Sequence, residues 1–193
     1  MMDVMIDLET LGSVPRCVIL SIGAVVFDPR GSDVPDTSRT FHAHIDVRSS
    51  QRAGLMIDGA TVMWWLGQSE EARQELLKAE THDLFAVLGH FAAWTDWPRV
   101  GGVWAKGPSF DCAILASAYR AVSMEPPWPY SRERCVRTAL DMAGMPSDTM
   151  AYRTAADVRH SALGDALAQA RAVQAALAKT ARASPDDDDD APG

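Results

Sequence analysis

The chain has 193 residues and a mass of 20.9 kDa, enough for one globular domain that needs no disulfide or structural metal. Apolar residues make up 47% and charged residues 23%, which excludes bulk disorder, collagen and coiled-coil architectures. The net charge is −8, and the run at 186–190 supplies five of those charges; the remaining −3 excludes a polybasic nucleic-acid binder, but not an enzyme that meets phosphates through bound cations.

No stretch approaches the roughly 20 apolar residues of a membrane-spanning helix, so no membrane association is expected. The N-terminus carries acids and no basic run, which predicts no signal peptide. Cys17, Cys112 and Cys135 form no CxxC pair. Three scattered cysteines suit packing roles in a reducing cytoplasm.

Residues 2–9 alternate and predict a strand, with Val4, Ile6 and Leu8 on one face and Met5, Asp7 and Glu9 on the other. Residues 17–27, rich in Val and Ile, predict a second strand, and Asp28-Pro29-Arg30-Gly31 a turn. Residues 40–45 alternate again, so the opening reads as a three-stranded meander. Helical period then takes over. Thr61 is the expected cap of a short helix bearing Trp64 and Trp65, Ser69 the cap of residues 70–79, and Thr81 the cap of a helix with the stripe Leu84, Val87, Leu88 and Phe91. Residues 101–105 predict a short strand. Ser109 opens a helix carrying Phe110, Asp111, Ile114 and Leu115. PPWP at 126–129 is an irregular connection. Residues 132–143 read as a helix stopped by Gly144, and residues 163–180 as a long alanine-rich helix. The sum is an α/β layer fold with a mixed sheet over 1–183, followed by an acidic disordered tail at 184–193.

Five side chains stand out chemically. Asp7 and Glu9 are i, i+2 on a strand and share a face, where like charges repel unless something neutralises them. A solvated face is the ordinary explanation, but a central strand favours a bound divalent cation. Asp111 lies in the first turn of its helix, a position the dipole favours in any case. His160 belongs to the loop before the last helix and Asp165 to its first turns. Together, four hard carboxylates suit two Mg²⁺ or Mn²⁺ ions clamping an in-line phosphoryl displacement, and a histidine of pKa about 6.5 suits proton removal from the attacking water.

The ordered motifs MIDLET, SFD and HSALGD resemble those of the DEDDh 3′→5′ exonucleases, with their ribonuclease-H-like fold. Residues 61–74 (TVMWWLGQSEEARQ) look like the branch of the phage exonuclease A and mycobacterial exoribonuclease proteins. The resemblance spans residues 3–175. It implies removal of nucleoside 5′-monophosphates from single-stranded DNA or RNA 3′ ends. Asp7, Glu9, Asp111 and Asp165 would hold two metal ions, with His160 as general base. Thr10, Leu11 and Gly12 would contact the terminal nucleotide, with Phe110 beside them, and a homodimer is the expected assembly.

One departure stands at Ala105-Lys106-Gly107, where such relatives often carry a Gly-Asn-Gly-like run; Lys106 either reaches a phosphate or is solvated. Of the adjacent tryptophans, Trp64 is the candidate for base stacking and Trp65 the alternative core filler, and Gln68 reads a nucleotide edge or is simply exposed. His42 and His44 are taken as ordinary strand residues, and Arg134 and Arg137 as an ion-pairing or phosphate-touching pair. Two other readings compete: a non-catalytic nucleic-acid-binding or assembly module, which usually lacks a ligand, and a phosphohydrolase with an Asp nucleophile, which usually begins D-x-D.

Overall fold

The computed structural model describes residues 1–31, 37–78, 80–154 and 161–183. Within these residues, six strands form one mixed sheet: β1 (Asp3–Thr10), β2 (Ile19–Phe27), β3 (Thr40–Ile45), β4 (Thr81–His82), β5 (Val103–Ala105) and β6 (Glu133–Cys135), in the order β4-β3-β2-β1-β5-β6. β1, β2 and β3 make the expected antiparallel meander, while β5 and β6 join in parallel on the far side of β1, and β4 lies parallel to β3.

Among the described residues, seven α-helices flank the sheet: α1 (Val47–Arg52), α2 (Gly59–Leu66), α3 (Glu70–Lys78), α4 (Leu84–Ala93), α5 (Asp111–Ala121), α6 (Val136–Met142) and α7 (Ala162–Ala183). The alternation of β1 divides the core. Val4, Ile6 and Leu8 pack with Leu88 and Phe91 of α4 and Ile114 and Leu115 of α5. Met5 packs on the opposite face with Leu140 of α6 and Ala166, Ala170 and Val173 of α7. Burial on both faces explains why β2 is an almost unbroken apolar run.

Two contacts fix the central strands. Asp3 accepts from Gly102 N–H at 2.8 Å and from the Trp104 indole at 2.7 Å, tying the start of β1 to β5. On the α7 face, Asp7 pairs with Gly23 across the β1–β2 ladder. A Cβ on Gly23 would lie 2.1 Å from the backbone of Ala162 and Leu163. The bare glycine therefore lets the N-terminus of α7 sit directly on the sheet, beside Asp7.

Several local expectations are corrected. Thr61 lies inside α2, whose cap is Asp58; its carboxylate accepts from Ala60 N–H and Thr61 N–H. Thr81 belongs to β4, and Asp83 caps α4. In both places a nearby Asp wins because its carboxylate is aimed at the free N–H groups of the first turn. Ser69 does cap α3, accepting from Ala72 N–H. The helix expected at 132–143 begins only at Val136, because residues 133–135 extend to pair with β5. Cys17 precedes β2 in an isolated bridge to Met56, and α5 starts at Asp111, with Phe110 at its cap position and no side-chain cap. α7 runs a little beyond both expected ends. The tail at 184–193 lies outside the described residues. Among the described residues, no helix is long and apolar enough to cross a membrane.

Candidate active site

The carboxyl ends of the parallel strands β1 and β5 lie side by side, and the functional side chains gather there. Asp7 and Glu9 ride on β1, facing α7. Asp111 arrives from α5 directly after β5. The chain turns at Gly107, whose φ of +121° lies in the left-handed region that glycine tolerates, and the Gly107 carbonyl accepts from Phe110 N–H at 2.8 Å. Asp111 is buried, and its Oδ1 accepts from Leu8 N–H at 3.2 Å, joining the first and second motifs. Asp165 sits in the first turn of α7, delivered by the close approach over Gly23.

Asp7, Glu9 and Asp165 offer carboxylate oxygens that all lie within 4.8 Å of one another. Asp111 stands close enough for its charge to act on Asp7 and Glu9. Burial is the first cause of each shift. Desolvation, then Asp111, pushes Glu9 up to about 8. Desolvation pushes Asp111 up to about 7 against the pull of the Leu8 N–H bond. Asp7 is raised well above the ordinary carboxylate range, by desolvation first and then by Asp111 and Glu9. A partly buried group of mutually repelling, oxygen-only donors fits a hard divalent cation such as Mg²⁺ or Mn²⁺.

Two side chains that sequence reasoning did not single out complete the cluster. Arg153, its side chain only 10% exposed, donates to Asp165 Oδ1 and lowers the pKa of Asp7 and Glu9 through its charge. Gln169, one turn after Asp165, is 3% exposed and donates from Nε2 to Asp7 Oδ1 at 2.7 Å. The i, i+4 spacing of Asp165 and Gln169 was the available signal, since it puts both on one helical face. Arg153 sits in irregular chain and left no pattern to read.

A cleft of about 290 Å³ opens over the cluster. Asp7, Glu9, Thr10, Gly12, Phe110 and Asp165 line it, and Trp64 closes one side. Trp65 is the buried partner of the tryptophan pair: its indole donates to the Thr10 carbonyl at 2.9 Å, and its ring meets Trp64 edge-on with centroids 5.0 Å apart. Trp64 is half exposed at the cleft wall.

The remaining expected contacts are placed elsewhere. Leu11 packs against the core, its carbonyl accepting from Asp58 N–H. Gln68 donates to the Trp64 carbonyl at 3.1 Å, bracing the end of α2. Lys106 donates to Thr149 Oγ1 at 3.3 Å. Arg134 belongs to β6 and bonds the carbonyls of Ser131 and Glu133, whereas Arg137 packs over Gly107 and acts electrostatically on Asp111. His160 lies outside the described residues.

The mixed sheet and the carboxylates converging on it form a candidate metal centre of the kind that phosphoryl chemistry uses. Residues 2–177 match the model of the Rv2179c-like family, described as the 3′-5′ exoribonuclease Rv2179c-like domain, and the chain belongs to that family. An exodeoxyribonuclease of Enterobacteria phage T4 is 28% identical over 134 residues, covering 63% of this chain and 57% of the phage protein. The chain thus matches little more than half the length of that relative. Three solved structures share the fold. The nuclease domain of 3′hExo, described as a DEDDh family member bound to rAMP, superposes with a TM-score of 0.55 at 13% identity, over 92% of each chain. The RNase domain of yeast Pop2 gives 0.60 at 12%, covering 93% of this chain and 78% of that one. E. coli exonuclease I in complex with a 5cy-dA13 oligonucleotide gives 0.57 at 15%, covering 93% and 40%.

Proposed function

We propose that this chain is a divalent-metal-dependent 3′→5′ exonuclease that shortens single-stranded nucleic acid and releases nucleoside 5′-monophosphates. The observation that carries the reading is the convergence of Asp7, Glu9, Asp111 and Asp165 at the carboxyl end of β1. Asp7, Glu9 and Asp165 would hold Mg²⁺ or Mn²⁺, and Asp111 would complete a two-ion site. The chemistry that such ions would supply is Lewis acidity toward the phosphodiester undergoing displacement.

The protein's own groups do the rest. Leu8 N–H holds Asp111 in one orientation. His160, five residues before Asp165 in the sequence, takes the proton from the attacking water as general base. The backbone of Thr10 and Gly12 forms the cleft edge that receives the terminal nucleotide, with Leu11 supporting the turn from below. Trp65 pins the Thr10 carbonyl, so that edge is rigid. Trp64 and Phe110 offer ring faces to a terminal base, a mode indifferent to base identity. Two features suit a non-sequence-specific, end-acting enzyme: the cleft is small, and among the described residues its wall is aromatic rather than basic.

The family description and the phage relative name different sugars, so the test carries both polymers. 5′-Labelled single-stranded DNA and RNA are incubated with Mg²⁺, Mn²⁺ or EDTA, beside the Asp7→Ala variant. A metal-dependent ladder that the variant does not produce is expected. A folded wild-type protein that degrades neither polymer in any metal overturns the proposal in favour of a binding module.

A further inference from the structure

We infer that Gln169 is the positioning residue for Asp7: its side-chain amide fixes one carboxylate oxygen and so presents Asp7 to the cation. This rests on the metal-site reading above.

Gln169 stands in the most apolar stretch of α7. Its neighbours Ala166, Ala168, Ala170, Ala172 and Val173 are all buried, and they let the helix lie close to β1 and β2. A glutamine is out of place in such a stripe. It is 3% exposed, and its Oε1 has no hydrogen-bond partner among the described residues. A buried amide oxygen left unpaired costs stability, because it gives up its bonds to water for nothing. A leucine or methionine would fill similar space without that cost. The return is at the other end of the amide, where Nε2 donates to Asp7 Oδ1 at 2.7 Å.

Geometry explains why this donor is specific. Asp7 is set by the pleat of β1 and Asp165 by the first turn of α7, 158 positions apart in sequence but meeting over Gly23. Gln169 follows Asp165 by one helical turn, so the helix that delivers the last ligand also delivers the group that orients the first. With Oδ1 tied to the amide, the Asp7 carboxylate cannot rotate freely and still offers an oxygen within 4.8 Å of those from Glu9 and Asp165. Outer partners of this kind typically change metal affinity by about 10–100-fold when removed.

The test is the Mn²⁺ dissociation constant of the full substrate-free chain, measured by calorimetry for wild type, Gln169→Leu, Gln169→Met and Asp7→Asn. Both Gln169 variants should bind Mn²⁺ about 10–100-fold more weakly. Their KM for an oligonucleotide should be unchanged, and most of kcat should return at saturating Mn²⁺. Gln169→Met matches the length and volume of glutamine and serves if Gln169→Leu does not fold. Wild-type affinity in a folded Gln169 variant, with Asp7→Asn impaired, overturns this inference alone. A wild-type chain that binds no Mn²⁺, or an Asp7→Asn chain that binds it normally, overturns the metal-site reading and this inference with it.

Discussion

The backbone N–H of Leu8 donates to Oδ1 of Asp111 at 3.2 Å, across 103 positions of sequence. That bond links the strand carrying Asp7 and Glu9 to the helix carrying the third carboxylate. It also sets the choice of variant. Asp111→Ala would leave a buried N–H unpaired, at a cost of about 1–3 kcal/mol. Asp111→Asn keeps an acceptor for Leu8 while removing the charge. The expected result is a near wild-type melting temperature with turnover lower by on the order of 10³-fold or more. Steady-state kinetics and thermal unfolding on the same preparation check this, and retained turnover would remove Asp111 from the site.

The raised carboxyls make stability depend on pH and metal together. Glu9 sits at about 8 instead of 4.5, and Asp111 at about 7 instead of 3.8. Each native carboxyl holds its proton more tightly than in the unfolded chain. Its stabilising contribution is complete below the unfolded value and is lost as pH rises through the folded value. The metal-free protein should therefore lose stability from these groups between about pH 4 and about pH 8. Cation binding needs the ionised carboxylates and tightens as pH rises. Melting temperatures with EDTA and with Mg²⁺ should diverge steadily from pH 5.5 to 8.5. A gap that stays constant or narrows contradicts the assignment.

Gly23 controls the meeting of α7 with β1. A Cβ there would fall 2.1 Å from the Ala162 backbone, so Gly23→Ala must push the start of α7 away from Asp7. Overpacking of this kind costs about 1–3 kcal/mol, and each kcal/mol lowers Tm by roughly 2–4 °C in a chain of this size. Activity should fall further than stability alone explains, because Asp165 moves with the helix. Calorimetry and an exonuclease assay on Gly23→Ala give both numbers. An unchanged Tm with full activity would show that the approach is not needed.

The tryptophan pair separates binding from folding. Trp65 is buried and bonded to the Thr10 carbonyl, so Trp65→Ala should cost about 3–5 kcal/mol of stability. Trp64 is half exposed at the cleft wall. Trp64→Ala should leave Tm nearly unchanged and weaken single-strand binding by about 1–3 kcal/mol. Fluorescence anisotropy with a catalytically silent background, such as Asp7→Ala, measures this. Equal effects of both variants on Tm would contradict the division of roles.

Much of the site was legible because it follows from short periods. The alternation of β1 put Asp7 and Glu9 on one face, and helix starts placed Asp111 and Asp165. The misreadings share a different cause. Residues 133–135 extend only because β5 is there to pair with them, and three residues carry no period of their own. Thr61 and Thr81 looked like caps, but Asp58 and Asp83 lie where the chain actually enters α2 and α4. Gln169 was hidden by its alanine-rich surroundings, and Arg153 by irregular chain. Both gain meaning only when α7 is laid across the sheet.

The polarity of end removal tests the central claim most directly. One oligonucleotide is labelled at its 3′-terminal nucleotide and a matched one at its 5′ end, and both are digested with Mg²⁺ by wild type and by Asp165→Asn. The account predicts that the 3′ label leaves as a mononucleotide in the first turnover, while the 5′ label passes through every intermediate length, and that Asp165→Asn does neither. Early release of the 5′ label as a mononucleotide, or equal activity in the variant, would contradict it.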